Sequence, residues 1–229
     1  MKIEMQGLTF MADTKSKRLV DPEKTRQVQR KYDRNAVFFD LMERFEGGRF
    51  STWRKELWSQ AAGEVLEVGI GTGINFQYYP PGVHVTGIDV SEGMLHRARV
   101  KARKLGLKVN LLAMDVQKMT FPDHTFDTVV STCVFCTVPD PILGLEEIRR
   151  VVKPAGKVLF LEHVRSNRPV LGKLMDLANP LVAALIGTNI NRRTAENIIR
   201  AGLEIVEIKP LWLDIVYAIR ARPRPEAKP

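Results

Sequence analysis

Residues 63–73 read Gly-Glu-Val-Leu-Glu-Val-Gly-Ile-Gly-Thr-Gly, a short aliphatic run that breaks into glycines at 69, 71 and 73. Alternate glycines directly after a strand-like run predict a tight turn whose backbone approaches a ligand closely, where a Cβ would collide. A dinucleotide fingerprint would carry its third glycine at position 74, which is Ile74, and no Gly-Lys-Ser/Thr follows for a phosphate-cradling loop. What remains is a GxGxG turn with an acid, Glu67, two residues ahead of its first glycine.

The same rhythm continues outward. VHVTGID (83–89), KVNLLAMD (108–115), FDTVVST (126–132) and GKVLFLEHV (156–164) are short runs rich in β-branched or aliphatic residues. Ser91–Leu105 and Pro141–Val152 are helix-like, and strands that alternate with helices imply parallel pairing through crossovers. The strand runs are apolar almost throughout, as suits strands covered on both faces. The fold class is therefore an open α/β sheet. LEIVEIKP (203–210) and DIVYAIRA (214–221) add two strands, and Thr194–Ala201 is a helix stopped by Gly202. Between them, Arg165–Arg193 holds the apolar run LANPLVAALIG, interrupted by Pro180, which suits a core helix or an interfacial segment.

Upstream, three- and four-residue steps of Val28, Tyr32, Ala36, Phe39 and of Phe38, Leu41, Met42, Phe45 predict a helix over Thr25–Phe45. Gly47-Gly48 ends it, and a short helix covers Trp53–Gln60. The expected organisation is a flexible segment at 1–24 with an alternative start at Met11-Ala12, amino-terminal helices at 25–60, the main domain at 61–221 and a disordered Pro-rich tail at 222–229.

The chain has 229 residues, 45% hydrophobic and 27% charged, which fits one large globular domain and excludes a disordered or collagen-like chain. Two cysteines argue for a reducing compartment, and neither a secretory signal nor a run of about 20 apolar residues is visible. The expected location is the cytoplasm, free or peripheral on the inner membrane surface. The net charge of +9 divides as +4 over residues 1–60, zero over 61–162 and +5 over 163–229. Such basic flanks attract an anionic membrane or an acidic small molecule, or simply keep the protein soluble. Nucleic acid ranks last, because neither zinc-finger spacing nor an aromatic RNA-binding signature accompanies the charge.

Chemistry gathers at the strand ends. Asp89 ends the second strand, twenty residues beyond Gly69, where an acid accepts hydrogen bonds from a ribose diol. Asp115 ends the third. Three acids and a glycine turn suit a ligand with hydroxyls, an amino group and an adenine but no phosphate, which describes S-adenosylmethionine better than NAD or ATP.

The segments LEVGIGTG, GIDVSEGML, MDVQKMTFPDHTFDTVVS and EEIRRVVKPAGKVLFLEH resemble, in order and spacing, a class I S-adenosylmethionine-dependent methyltransferase over about residues 25–220. The resemblance implies a Rossmann-like seven-stranded sheet of order 3-2-1-4-5-7-6, its seventh strand antiparallel and helices on both faces. It implies that Gly69, Gly71 and Gly73 bracket the methionine part of the cofactor and that Glu67 supports the loop. Asp89 with Val90 would bind the ribose, Met94 would pack near the adenine, and Asp115 with Val116 would meet the adenine amino group. Thr132 would line the site. Tyr32 matches a tyrosine that related enzymes bring onto the cofactor, whose product is S-adenosylhomocysteine.

Other candidates carry plainer readings beside the sharp ones. His163 ends the fifth strand and is the candidate, with Tyr32, to orient or deprotonate an acceptor; the alternative is a hydrogen-bonded structural histidine. Cys133 and Cys136 have CxxC spacing without a second pair for a zinc cage, so packing is the expectation and no metal site is assigned. Asp33 and Asp40 suit a cationic substrate or plain solvation, and the basic run Arg97–Lys108 suits a solvated face. His84, His96 and His124 have no assignable partner.

The acceptor is less legible, because one fold hosts many chemistries. The chain resembles quinone C-methyltransferases, bacterial phospholipid N-methyltransferases and animal membrane-associated thiol S-methyltransferases. NFQYYPPG and FLEHVRS look most like the thiol branch and its bacterial relatives, and STCVFCTVPDP matches the quinone branch poorly. The basic flanks and the Thr25–Phe45 helix, with Phe38, Phe39 and Phe45 inserted in an anionic leaflet, favour phosphatidylethanolamine N-methylation at a membrane surface. The alternatives are a small-molecule thiol S-methyltransferase and a non-catalytic cofactor-binding membrane or regulatory protein.

Overall fold

The computed structural model describes residues 18–45 and 48–225, and the side chains of those residues other than 35–45 and 186. The Met11-Ala12 start, the last four residues of the tail, and the side chains of Phe38, Phe39, Asp40 and Phe45 lie outside the described residues.

Helices α1 (Pro22–Phe45) and α2 (Arg49–Trp58) lead into β1 (Glu64–Val68), and a 3-10 turn at Ile74–Tyr78 follows the glycine loop. Then come β2 (His84–Asp89), α3 (Glu92–Leu105), β3 (Val109–Ala113), β4 (Phe126–Thr132), α4 (Pro141–Val151) and β5 (Val152–His163). The chain closes with α5 (Pro169–Ile186), α6 (Thr194–Arg200), β6 (Leu203–Pro210), a 3-10 turn at Trp212–Asp214 and β7 (Val216–Pro223). The seven strands form one sheet of order β3-β2-β1-β4-β5-β7-β6. All pairs are parallel except those of β7, which runs antiparallel to both β5 and β6.

The strand sequences explain why both faces are covered. On β4 the alternation sends Val129 into a layer with Leu66, Phe160, Leu145 and Ile148, beneath α4 and α6. Its neighbour Val130 faces the opposite layer, with Val65, Leu159, Leu161, Leu57 and Trp58 beneath α2. A third cluster of Ile70, Phe76, Leu95 and Ala98 packs α3 under the glycine loop. The helix starts have local causes: Ser91 Oγ accepts from the Met94 amide, and Asp140 accepts from Ile142 and Leu143 with Pro141 in the first turn.

Boundaries differ where tertiary pairing overrides the local signal. β5 begins at Val152, four residues ahead of the aliphatic run, because Val152 pairs with Phe126 across a bulge. β7 runs to Pro223, two residues past the expected 221 boundary, with Arg222 paired to Glu204. α2 begins at Arg49 instead of Trp53, directly after Gly48 at φ +91°. The largest difference is α5. Pro180 does not interrupt it, and Asn179 is held at that point by accepting from the Ile190 amide at 2.9 Å. Nor is it a core helix, because Leu174, Leu177, Leu181 and Leu185 are exposed. No helix among the described residues is long and apolar enough to cross a membrane.

Candidate cofactor site and methyl-transfer crevice

The glycine loop is suspended from the neighbouring strand. Gly69 and Ile70 both donate their amides to the Ile88 carbonyl, at 2.8 and 3.0 Å. Gly69 has φ +66°, and a Cβ there would stand 2.3 Å from Val134 Cγ2, so shape and conformation both demand glycine. Gly71 differs. Its φ is +57°, yet a Cβ would meet open space, which is the condition for a ligand to lie against the backbone. Gly87 of β2 makes room beneath, since a Cβ would meet Ile70 Cδ1 at 2.1 Å.

Asp89 is the hinge of this arrangement. Its Oδ2 accepts from the Gly71 amide and its Oδ1 from the Ser91 amide, each at 2.9 Å. Burial pushes its carboxyl up to about 6, against the pull of the amides, and the nearby Asp33 pushes the same way. A carboxylate offers about four acceptor sites; with the two amides seated, acceptor capacity is left for a diol beside the open face of Gly71.

Glu67 lies fully buried under the loop. It accepts from Asn75 Nδ2 at 2.6 Å and from the Tyr79 hydroxyl. Arg54, reaching in from α2, donates from Nη1 to Asn75 Oδ1 at 2.8 Å and to Thr132 Oγ1 at 3.1 Å, and Asn75 Nδ2 also donates to Thr132 Oγ1. Burial raises the Glu67 carboxyl to about 7, opposed by Tyr79, Asn75 and the Arg54 charge. The network ties α2, the glycine loop and the end of β4 together. The Thr132 hydroxyl oxygen thereby accepts from both Arg54 and Asn75.

Of the apolar residues near Asp89 and Asp115 in sequence, Met94 and Val116 are buried and Val90 is half-buried. Asp115 accepts from the Gln117 amide and side chain at 2.9–3.0 Å and from Thr25 Oγ1 of α1 at 2.8 Å. Helix α1 thus crosses the carboxyl edge of the sheet. Asp33 fastens it by accepting from Ser91 Oγ and the Gly93 amide, and Lys31 fastens it by donating to the Ala183 and Ala184 carbonyls at the end of α5. Asp33, although exposed, is therefore not merely solvated: its Oδ1 holds α1 to the start of α3.

Between these fastenings Tyr32 points inward. Its hydroxyl bonds the Thr188 and Thr137 side chains, Asp89 lies within electrostatic reach, and burial raises the phenol, keeping it protonated at neutral pH. His163 lies apart from these groups, at the end of β5, stacked on Phe50 of α2 at 6.0 Å, and burial lowers it so that the imidazole is neutral. Beside it in sequence, buried Glu162 accepts from Ser131 Oγ, the Val134 amide and the Phe135 amide at 2.9–3.2 Å. Burial raises Glu162 to about 7 as well.

Several other candidates have structural partners. Cys136 is buried, its Sγ donates to the Cys133 carbonyl at 3.4 Å, and burial raises its thiol; the two cysteines form no disulfide with each other. Among the described residues no group of three His, Cys, Asp or Glu side chains could hold a metal. His84 bonds Glu64, and His124 meets the Val152 carbonyl. Sequence reasoning missed Arg54, Asn75, Tyr79, Thr25 and Gln117. Asn75 and Tyr79 stood in the quoted NFQYYPPG segment; Arg54 gave no signal, since only the fold turns it inward.

Comparison with known proteins agrees with this geometry. Residues 66–160 match the family described as a methyltransferase domain. The chain is 30% identical over 188 residues to the demethylmenaquinone methyltransferase of Staphylococcus aureus, covering 77% of this chain and 74% of that protein. It is 45% identical over 103 residues to a phosphatidylethanolamine N-methyltransferase of Cereibacter sphaeroides, covering 44% and 51%. It is 39% identical over 122 residues to the human thiol S-methyltransferase TMT1B, covering 48% and 50%. The chain thus matches only about half the length of the last two relatives. Among solved structures, the [4+2]-cyclase SpnF has the same fold, with a TM-score of 0.70 at 21% identity, covering 87% of this chain and 96% of that one. The chain belongs to the class I methyltransferases. Its cofactor is S-adenosylmethionine, which the open Gly71 backbone, the remaining acceptor capacity of Asp89 and the apolar Met94 and Val116 fit.

Proposed function

We propose that this enzyme methylates the amine of phosphatidylethanolamine at a membrane surface, toward phosphatidylcholine. The observation that carries the reading is the 45% identity to a phosphatidylethanolamine N-methyltransferase. When bound, S-adenosylmethionine supplies a methyl group already activated on a sulfonium, so the protein's task is alignment, exclusion of water and management of one proton.

An ammonium headgroup must lose a proton before its nitrogen is a nucleophile. His163, held neutral by burial, is the group we assign to accept it. Tyr32, held protonated and lying on α1, is the group we assign to position the acceptor. Glu67, Gly69, Gly71, Gly73, Asp89 with Val90, Met94, Asp115 and Val116 hold the cofactor, with Thr132 acting through the Arg54–Asn75 network. The location that suits this work is the cytoplasmic membrane surface.

A second reading, small-molecule thiol S-methylation, draws on the 39% identity to the human thiol enzyme. Transfer of labelled methyl from S-adenosylmethionine, compared between phosphatidylethanolamine–phosphatidylglycerol vesicles and small thiols, separates the two. Labelled lipid is the expected result. Labelled thiol with unlabelled lipid would replace the first reading by the second, and binding of cofactor with no labelled product would leave a cofactor-binding protein.

A further inference from the structure

Helix α5 has eighteen residues and only two charged side chains, Lys173 and Asp176. Val170, Leu174, Leu177, Leu181 and Leu185 are 56–80% exposed, and steps of three and four residues put them on one stripe. At 1.5 Å per residue the stripe is about 22 Å long. Asp176 stands off it, held by Arg165 and Asn191. Soluble monomers rarely leave so continuous an apolar face to water.

Two neighbours say what covers it. The first is the turn Trp212–Asp214, fastened beside the start of α5 where Asp214 accepts from the Asn167 amide at 2.8 Å. It holds Trp212 and Leu213 46% and 50% exposed, with Leu213 at φ +50°. A non-glycine residue held left-handed so that a leucine and a tryptophan face outward is a strained tip, and tryptophan favours the headgroup level of a bilayer. The second is charge. Arg168 and Lys173 flank the stripe with no carboxylate ion-pair partner among the described residues, in a segment of net charge +5. Long basic stems beside an apolar face lie along it and send their charge to anionic headgroups.

We infer that α5 and the Trp212–Leu213 tip form the surface by which the protein sits on an anionic lipid leaflet. This deepens the membrane-surface reading and rests on it, adding a lipid contact at the carboxyl-terminal half of the chain. The placement serves the crevice. The residues just after α5 reach it directly, Thr188 at the Tyr32 hydroxyl and Asn189 donating to the Cys136 carbonyl. A leaflet under α5 therefore meets the acceptor side of the site without a long path for the lipid.

The test is co-sedimentation of the full chain with phosphatidylcholine vesicles, with and without phosphatidylglycerol. The wild type should bind the anionic vesicles, and Leu174→Gln/Leu177→Gln/Leu181→Gln should bind at least about tenfold more weakly, three inserted leucines being lost. The variant should keep its melting temperature and its S-adenosylmethionine affinity, since the replaced side chains face outward. Lys173→Ala/Arg168→Ala should remove most of the dependence on phosphatidylglycerol and salt. Equal binding by the leucine variant, or a wild type that ignores anionic vesicles, would overturn the inference. So would a wild-type dimer in vesicle-free buffer that the leucine substitutions convert to monomer, because a second copy would then cover the face. The assay reads binding without methyl transfer, so docking without labelled lipid would overturn the acceptor and leave this surface standing.

Discussion

The tips of β1, β2 and β3 and the region from β4 through α5 are built on opposite plans. At the first three tips polar partners converge on an acid: Asp89 accepts from the Gly71 and Ser91 amides, Asp115 from Gln117, and Glu67 from the Asn75 and Tyr79 side chains. On β5 the buried acid Glu162 fixes the loop after the neighbouring strand β4, and α5 carries an exposed apolar stripe. The first plan holds one small polar ligand of fixed shape. The second leaves apolar surface uncovered, the surface on which the proposed lipid contact rests.

Breaking the first plan should cost most at Arg54. Arg54→Met strips a buried cation from the network around Glu67 and should lower unfolding free energy by about 3 kcal/mol, with weakened cofactor binding, in urea titration and calorimetry. Gly69→Ala comes next, at about 2–3 kcal/mol, because the new Cβ meets Val134 in a left-handed conformation. Gly71→Ala, with open space around it, should cost only about 1 kcal/mol of stability while cutting cofactor affinity disproportionately. If both alanine variants lose affinity only in step with stability, Gly71 does not touch the ligand.

The two buried glutamates sharpen the comparison through pH. Both are raised to about 7 in the fold from an ordinary value near 4.5, so the native state holds protons that the unfolded chain has released. Their contribution is fully present below about 4.5 and is lost as pH rises through about 7, so stability should decline across that window. Glu162→Gln and Glu67→Gln should each flatten the decline, and an unchanged slope in both would contradict the burial effect. The smallest effect belongs to the cysteines. Cys133→Ser/Cys136→Ala should retain methyl transfer within about twofold, since the pair serves packing.

What was legible follows the same division. GxGxG, Asp89 and Asp115 could be read because backbone conformation and strand ends dictate both residue type and spacing. Helix α4 could be read from Asp140-Pro141 and its apolar period. Arg54 could not, because a charged residue on an amphipathic helix looks solvated until the fold turns it toward Asn75. The opposite failure is α5: LANPLVAALIG has the composition of a core helix, and only its place at the margin of the sheet leaves that face uncovered. Pro180 misled for a local reason, since a proline can sit within a helix whose flanks are fastened from outside, as Asn179 is.

The most direct measurement is calorimetric titration of S-adenosylmethionine into the wild type and Asp89→Ala. The wild type should bind one equivalent, and the variant should lose about 10- to 100-fold in affinity, the worth of charged hydrogen bonds to a diol and to the Gly71 amide. Failure of the wild type to bind, or equal affinity in both proteins, would contradict the account at its centre.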